Sequence, residues 1–198
     1  MLQLHARGAR AFGVDVDAWR VGVARHERHL TTIAQAVAEA LPFPDNTFDI
    51  VLLHEVIEHV ADDTQTIREA HRVCKRGGRI IIFAPNRLYP FETHGLYVGG
   101  RYVFGNIPLV GYLPNCLRAK LVPHARAYTV HNIRALFAGL NGAILTHTQI
   151  YPGYDKLARR NAALARVLRG ITYFLERTPL RVLGLSHFVV WEKRGMSQ

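Results

Sequence analysis

What is scarce in this chain narrows its identity before any motif is read. Two cysteines, Cys74 and Cys116, occur in 198 residues, and without an export signal they are expected as buried free thiols in a reducing cytoplasm. No apolar run approaches the roughly 20 residues that span a bilayer. The opening Met1-Leu2-Gln3-Leu4-His5-Ala6-Arg7-Gly8 lacks the charged head, apolar middle and cleavage site of a signal peptide. There is no G-x-G anywhere, and no acidic residue between Glu92 and Asp155. Residues 1–92 hold 11 Lys/Arg and 12 Asp/Glu, whereas 93–198 hold 14 and 3, so the net charge of +10 belongs to the C-terminal half. A surface of that kind favours phosphate, anionic lipid or nucleic acid, or is simply solvated. Repeats and low-complexity tracts are also missing.

What is present is an alternation of short apolar runs with amphipathic stretches. A chain with 49% hydrophobic content can bury one substantial core, which predicts a single domain over 1–198. Residues 11–15 read as a strand, and 18–28 as a helix with Asp17 as its N-cap. A shorter strand is expected at 33–37. Leu41-Pro42-Phe43-Pro44-Asp45-Asn46 must turn. Phe48 to Leu53 then reads as a parallel strand covered on both faces. A helix capped by Asp62 or Asp63 is expected to run to Lys75 and stop at Gly77-Gly78, followed by a buried strand at 79–84. This β-α-β-β-α-β order argues a mostly parallel, helix-covered sheet.

Beyond Pro85 the pattern changes. Residues 86–127 are rich in glycine, proline and aromatics with no sustained period, as expected of an inserted lid or substrate-binding segment. Thr129 is placed to cap a helix through Leu140, and 143–150 and 185–192 read as final strands. Between them, 155–184 is a basic amphipathic segment, helical in pattern from Lys156 to Arg177. Such a helix can lie on an anionic membrane surface or pack on its own domain.

The stretch AEALPFPDNTFDIVLLHEVIEHV, residues 38–60, concentrates the chemistry: His54, Glu55, Glu58 and His59 follow directly on a strand end, where ligands of open α/β sheets sit. Together with Ile67-Arg68-Glu69-Ala70-His71-Arg72-Val73-Cys74-Lys75-Arg76-Gly77-Gly78-Arg79, it resembles the class I S-adenosylmethionine-dependent methyltransferases, in the branch typified by ubiquinone-biosynthesis methyltransferases. The resemblance covers residues 1 to about 86 closely. It implies a Rossmann-like α/β sheet, mostly parallel with one antiparallel strand near its edge, and S-adenosylmethionine lying across the strand ends.

Carried over position by position, the resemblance gives Asp15, followed by Val16, the ribose hydroxyls of the cofactor. It places Ala38 and Glu39 near the adenine and His54 at the methionine end. Two departures stand out. Val37 occupies the place of the acid expected to meet the adenine amino group, and the first strand with its glycine-rich loop is lacking, as in a chain shortened at its start. The family's E-x-x-E-H motif implies a divalent cation, Mg²⁺ or Mn²⁺, at Glu55, Glu58 and His59, with His94 as a further ligand. The alternative is a helix-start feature without metal. For a hydroxyl acceptor, His59 is the leading general base, with His54 and His94 behind it. The expected activity is O-methylation of a small-molecule or lipid-linked acceptor by a cytoplasmic protein, peripheral to the membrane in the lipid-linked case. An RNA methyltransferase and a non-catalytic methyltransferase-like module remain open, and nucleic acid is the less favoured partner because no discrete RNA-binding motif is present.

Overall fold

The computed structural model describes residues 4, 6–27 and 29–195. Strand β1 (Gly13–Asp15) leads into helix α1 (Ala18–His26), whose first turn is closed by the Asp17 carboxylate accepting from the amides of Trp19 and Arg20. Arg28, the expected helix end, lies outside the described residues. Strand β2 (Ile33–Gln35) returns parallel to β1, and the two form a sheet of their own.

The main sheet is built from β3 (Phe48–His54), β4 (Cys74–Pro85), β9 (Gly142–Ile150) and β10 (Ser186–Lys193), in the order β3-β4-β10-β9. β3 and β4 are parallel; β10 runs antiparallel to both its neighbours. The structure thus has the expected sheet with one antiparallel strand next to the edge. Among the described residues no strand pairs with the outer edge of β3.

That open side corrects one expectation. β3 is not covered on both faces: Ile50 is 58% exposed and Leu52 51%, while Leu53 faces the core. Helix α2 (Asp63–Val73), capped by Asp62, ends earlier than expected because β4 begins at once with Cys74. Gly77-Gly78 lies inside the β4 span rather than ending the helix. Pairing with β3 runs Phe48 to Cys74 and then Ile50 to Arg79, so 75–78 bulges outward. Gly77 takes a left-handed φ of 75°, and a Cβ on Gly78 would sit 2.8 Å from Cys74 Sγ. The cysteines are separate free thiols, but only Cys74 is buried; Cys116 is exposed, contrary to expectation.

The 86–127 segment is more ordered than its composition suggested. Strands β5 (Phe91–Glu92) and β8 (Ile107–Pro108) pair around a nested hairpin, β6 (Leu96–Val98) with β7 (Arg101–Val103), turned by Gly99 and Gly100 at positive φ. A 3-10 turn at Val110–Tyr112 and helix α3 (Asn115–Leu121) follow. Leu96, Val110, Val122 and Ala125 form a small core beneath this segment. The main core joins Leu53, Ile57, Ile67, Ile80, Ile82 and Ile133, with Phe137 stacked on Trp191 at 4.5 Å.

Helix α4 (Val130–Ala135) is shorter than expected, although Thr129 caps it in a reciprocal box with Asn132. The basic segment is two helices, α5 (Asp155–Ala158) and α6 (Ala162–Leu175), because Asn161 adopts extended backbone and caps the second by accepting from the Leu164 amide. A 3-10 stretch at Pro179–Leu183 leads into β10.

Asn86 ties this return to the end of β4. Its buried amide donates to the carbonyls of Val182 and Gly184 at 2.8 and 2.7 Å, while its oxygen accepts from the Leu88 amide. Asn86→Ala removes all three bonds and strands polar groups in the interior, so a loss of about 3 kcal/mol is expected in urea unfolding.

Candidate active site

The ladder beside β3 extends one residue past the strand, with the Glu55 amide donating to Phe83 carbonyl at 3.0 Å. Glu55 then turns the chain with φ 53°. Residues 55–60 therefore form an irregular turn, not a helical turn, which at spacings of three and four would have put Glu55, Glu58 and His59 on one face. The Glu55 carboxylate accepts from Ser186 Oγ on β10, while Glu58 points into the interior, still close enough to Glu55 for the two carboxyl groups to act on each other.

Several side chains pin the turn. Ile57 is buried completely, and Tyr128 Oη shares its one proton between the Ile57 carbonyl at 2.8 Å and Asp63 at 2.9 Å. Arg126 donates to the carbonyls of Val60 and Ala61. From the other side, Glu39 accepts from the amides of Ala61 and Asp62 at 2.8 and 3.2 Å. The carboxylate of Glu39 is thus engaged in holding the turn.

Three side chains converge at this turn. Ligand-type atoms of Glu58, His59 and His94 all lie within 4.8 Å of one another, the one such group among the described residues. Glu58 is 1% exposed, and neither carboxyl oxygen has a hydrogen-bond partner among the described residues. Burial, with the nearby Glu55 charge adding to it, pushes its carboxyl up to about 8. His59 Nε2 lies 3.7 Å from Glu58 Oε1.

Both imidazoles are oriented through Nδ1. His59 donates from Nδ1 to the His124 carbonyl at 2.9 Å, and His94 donates from Nδ1 to Glu92 at 3.1 Å. Each ring is left with Nε2 as its lone pair, the arrangement by which outer hydrogen bonds fix ligand or base tautomers. The Glu92 bond raises the His94 pKa against the effect of burial. Burial alone would raise Glu92 too, but bonds from His94 and the Arg118 guanidinium at 2.8 Å hold it far below the usual carboxylate range. An open cleft of about 700 Å³ adjoins Glu58 and His59, with Arg118, His124, Arg126 and Tyr128 on its walls.

The remaining expected residues lie elsewhere. His54 ends β3, exposed, with its ring 4.9 Å from that of Phe83. Asp15 ends β1 and accepts from the Asp17 amide at 2.9 Å, with Arg20 at 4.0 Å. Since Asp17 caps α1 by itself, the helix cap does not require Asp15. Val16, Trp19 and Val37 are exposed apolar side chains on this side of the chain. Glu92, Arg118 and His124, which order the two histidines, were not singled out from sequence. The available signal was that Glu92 is the last acid before a long acid-free stretch and stands two residues from His94.

Residues 1–82 match the family described as Methyltransferase domain. The ubiquinone/menaquinone biosynthesis C-methyltransferase UbiE of Hahella chejuensis is 40% identical over 80 residues, which is 40% of this chain and 31% of that protein. Its counterpart in Pasteurella multocida is 39% identical over 79 residues, 39% and 28% of the two chains. This chain thus spans about a third or less of those relatives' length. An S-adenosylmethionine-dependent methyltransferase from Mesorhizobium loti superposes over 97% of this chain and 84% of its own, with TM-score 0.62 and 17% identity. A putative methyltransferase of Haloferax volcanii, solved with the Trm112 activator, covers 94% and 73% at TM-score 0.57 and 15% identity.

Proposed function

We propose that this chain, whose residues 1–82 match the methyltransferase domain family and whose fold resembles that of S-adenosylmethionine-dependent methyltransferases, transfers a methyl group to a small, hydroxyl-bearing acceptor. The observation that carries the reading is the buried Glu58 carboxyl, without a hydrogen-bond partner among the described residues, facing two imidazoles held through Nδ1, with His59 Nε2 at 3.7 Å. S-adenosylmethionine supplies the methyl on a sulfonium, so the protein's work is alignment, exclusion of water and removal of the acceptor proton. Asp15 suits the ribose hydroxyls because an ionised carboxylate accepts two donors strongly. Val16 and Ala38, with the turn at Glu39, suit the apolar adenine surroundings, and His54 the methionine end.

With S-adenosylmethionine bound, the acceptor oxygen would take the methyl as the sulfonium leaves as a neutral thioether, and His94 or His59 would take the hydroxyl proton. Oxygen is the favoured acceptor. The relatives' names favour a second reading, carbon methylation, in which the same deprotonated hydroxyl makes a conjugated ring carbon the nucleophile. A lipid-linked quinol-type acceptor would fit either.

The Glu58, His59 and His94 set also suits a divalent cation, since a buried carboxylate lacking partners and two tautomer-fixed imidazoles are a ready donor set. Two nitrogens among three donors favour Mn²⁺ over Mg²⁺. Such a cation would supply Lewis acidity at the acceptor oxygen. Calorimetry tests the cofactor assignment: we expect S-adenosylmethionine to bind, and Asp15→Ala to weaken it by about tenfold to a hundredfold, as loss of a charge-assisted bidentate contact should. No binding by the intact chain would leave a non-catalytic module.

A further inference from the structure

The C-terminal half carries a surface whose residues are not among those lining the candidate site. Along α6, Leu164, Val167, Ile171 and Phe174 recur three and four residues apart and therefore share one face. Each is between 46% and 67% exposed. The face turned to the protein is a different one, marked by the buried Ala165 and Thr172. Leu180 and Val182, on the 3-10 stretch that packs against α6, are also exposed. Four exposed apolar side chains on one helix face, with two more on the adjoining 3-10 stretch and no covering element among the described residues, mark a contact site.

The charges around it say what the contact is. Lys156, Arg159, Arg160, Arg166, Arg177 and Arg181 are exposed, and among the described residues none of their side chains makes an ion pair or hydrogen bond. The two acids of the region are already engaged: Asp155 with Arg169, and Glu176 with the Tyr151 amide. The Arg169 bonds to Gly153 carbonyl and Asp155 lock α6 onto α5, so the apolar stripe is held in place rather than left to fold inward. At 14 residues, α6 is about 21 Å long, too short to cross a hydrocarbon core about 30 Å thick. No helix among the described residues is long and apolar enough to cross a membrane.

We propose that α6, with Leu180 and Val182, is an in-plane docking surface for an anionic phospholipid bilayer. Leu164, Val167, Ile171 and Phe174 enter the acyl boundary, and the free arginines meet lipid phosphates. A nucleic-acid backbone would match the arginines but leave the aliphatic stripe in water, so the combination selects a lipid surface. The inference does not depend on which acceptor is methylated.

Flotation of the full chain with vesicles of phosphatidylcholine alone, and of equal parts phosphatidylcholine and phosphatidylglycerol, tests it. The chain is expected to float with the anionic vesicles only, with binding weakened by raised salt. Arg166→Ala and Arg177→Ala should each weaken it by about fivefold. Ile171→Glu with Phe174→Glu should abolish flotation while leaving S-adenosylmethionine binding and oligomeric state unchanged. In a second measurement, F174W fluorescence should shift to the blue with anionic vesicles and be quenched by brominated acyl chains, a readout that does not rely on the acidic variant folding. Flotation unchanged by the acidic pair, no blue shift at F174W, or dissociation of a dimer by the acidic pair would each overturn the assignment. So would RNA binding that resists Ile171→Glu and Phe174→Glu.

Discussion

Glu92→Ala will cost about 3 to 5 kcal/mol of unfolding free energy at neutral pH, the range for removing one partner of a buried ion pair. Glu92 and Arg118 are both almost wholly buried, and the variant leaves the guanidinium bonded only to the Ala125 carbonyl. It also removes the acceptor of His94 Nδ1. The pH dependence has a definite sign. The Glu92 pKa is depressed from the ordinary 4.5 to about 2, so its contribution is complete above 4.5 and disappears as the pH falls towards 2. The His94 pKa is raised, so its part is complete below the ordinary 6.5 and is lost as the pH rises through the raised value. Urea titrations in the presence of a chelator should therefore show the largest gap between parent and variant near pH 5 to 6, closing on the acid side. A flat gap down to pH 2 would mean that the pair is not ionised as the geometry implies.

The features legible in the sequence were those set by near neighbours. Asp17 caps α1 and Thr129 caps α4 because a short side chain reaches amides two or three residues on, whatever the rest of the fold does. The strand at Phe48 and the turn before it follow from β-branched residues and prolines. Its exposed face was not legible, since burial of Ile50 and Leu52 depends on which elements are laid against β3. Gly77-Gly78 looks like a helix stop, yet β4 begins before it: backbone pairing with Phe48 competes for Cys74, and a bulge needs glycine as much as a helix end does.

The candidate site divides the same way. Glu58 and His59 were visible as a cluster. Glu55 belongs to the same motif, but a left-handed φ at that residue sends its carboxylate towards Ser186. Glu92, Arg118 and the His124 carbonyl become part of the site only when the nested ribbons fold back onto the 55–60 turn, bringing together residues far apart in sequence.

His94→Gln and Glu58→Gln will each lower kcat for methyl transfer by about a hundredfold to ten-thousandfold, the range for loss of a positioned acid–base group. S-adenosylmethionine affinity, proposed to rest on Asp15 and His54, should not change. His54→Gln should do the opposite, raising KM for the cofactor with little effect on the pH profile, because its ring stands against Phe83 rather than in the cluster. Proton removal by His94 requires its neutral form, and Glu92 raises its pKa. The rate should therefore climb with pH through a value above 6.5, and Glu92→Gln should move that climb to lower pH. Glu58 supplies the second test, because its carboxyl stays protonated up to about 8 in the free chain. Mn²⁺ bound at Glu58, His59 and His94 must displace that proton at neutral pH. Calorimetry in buffers of different ionisation enthalpy should record proton release on Mn²⁺ binding that is absent in Glu58→Gln, and a chelator should depress the rate of the parent. If the rate ignores the chelator while His94→Gln still abolishes it, proton removal rests on the His94–Glu92 pair alone.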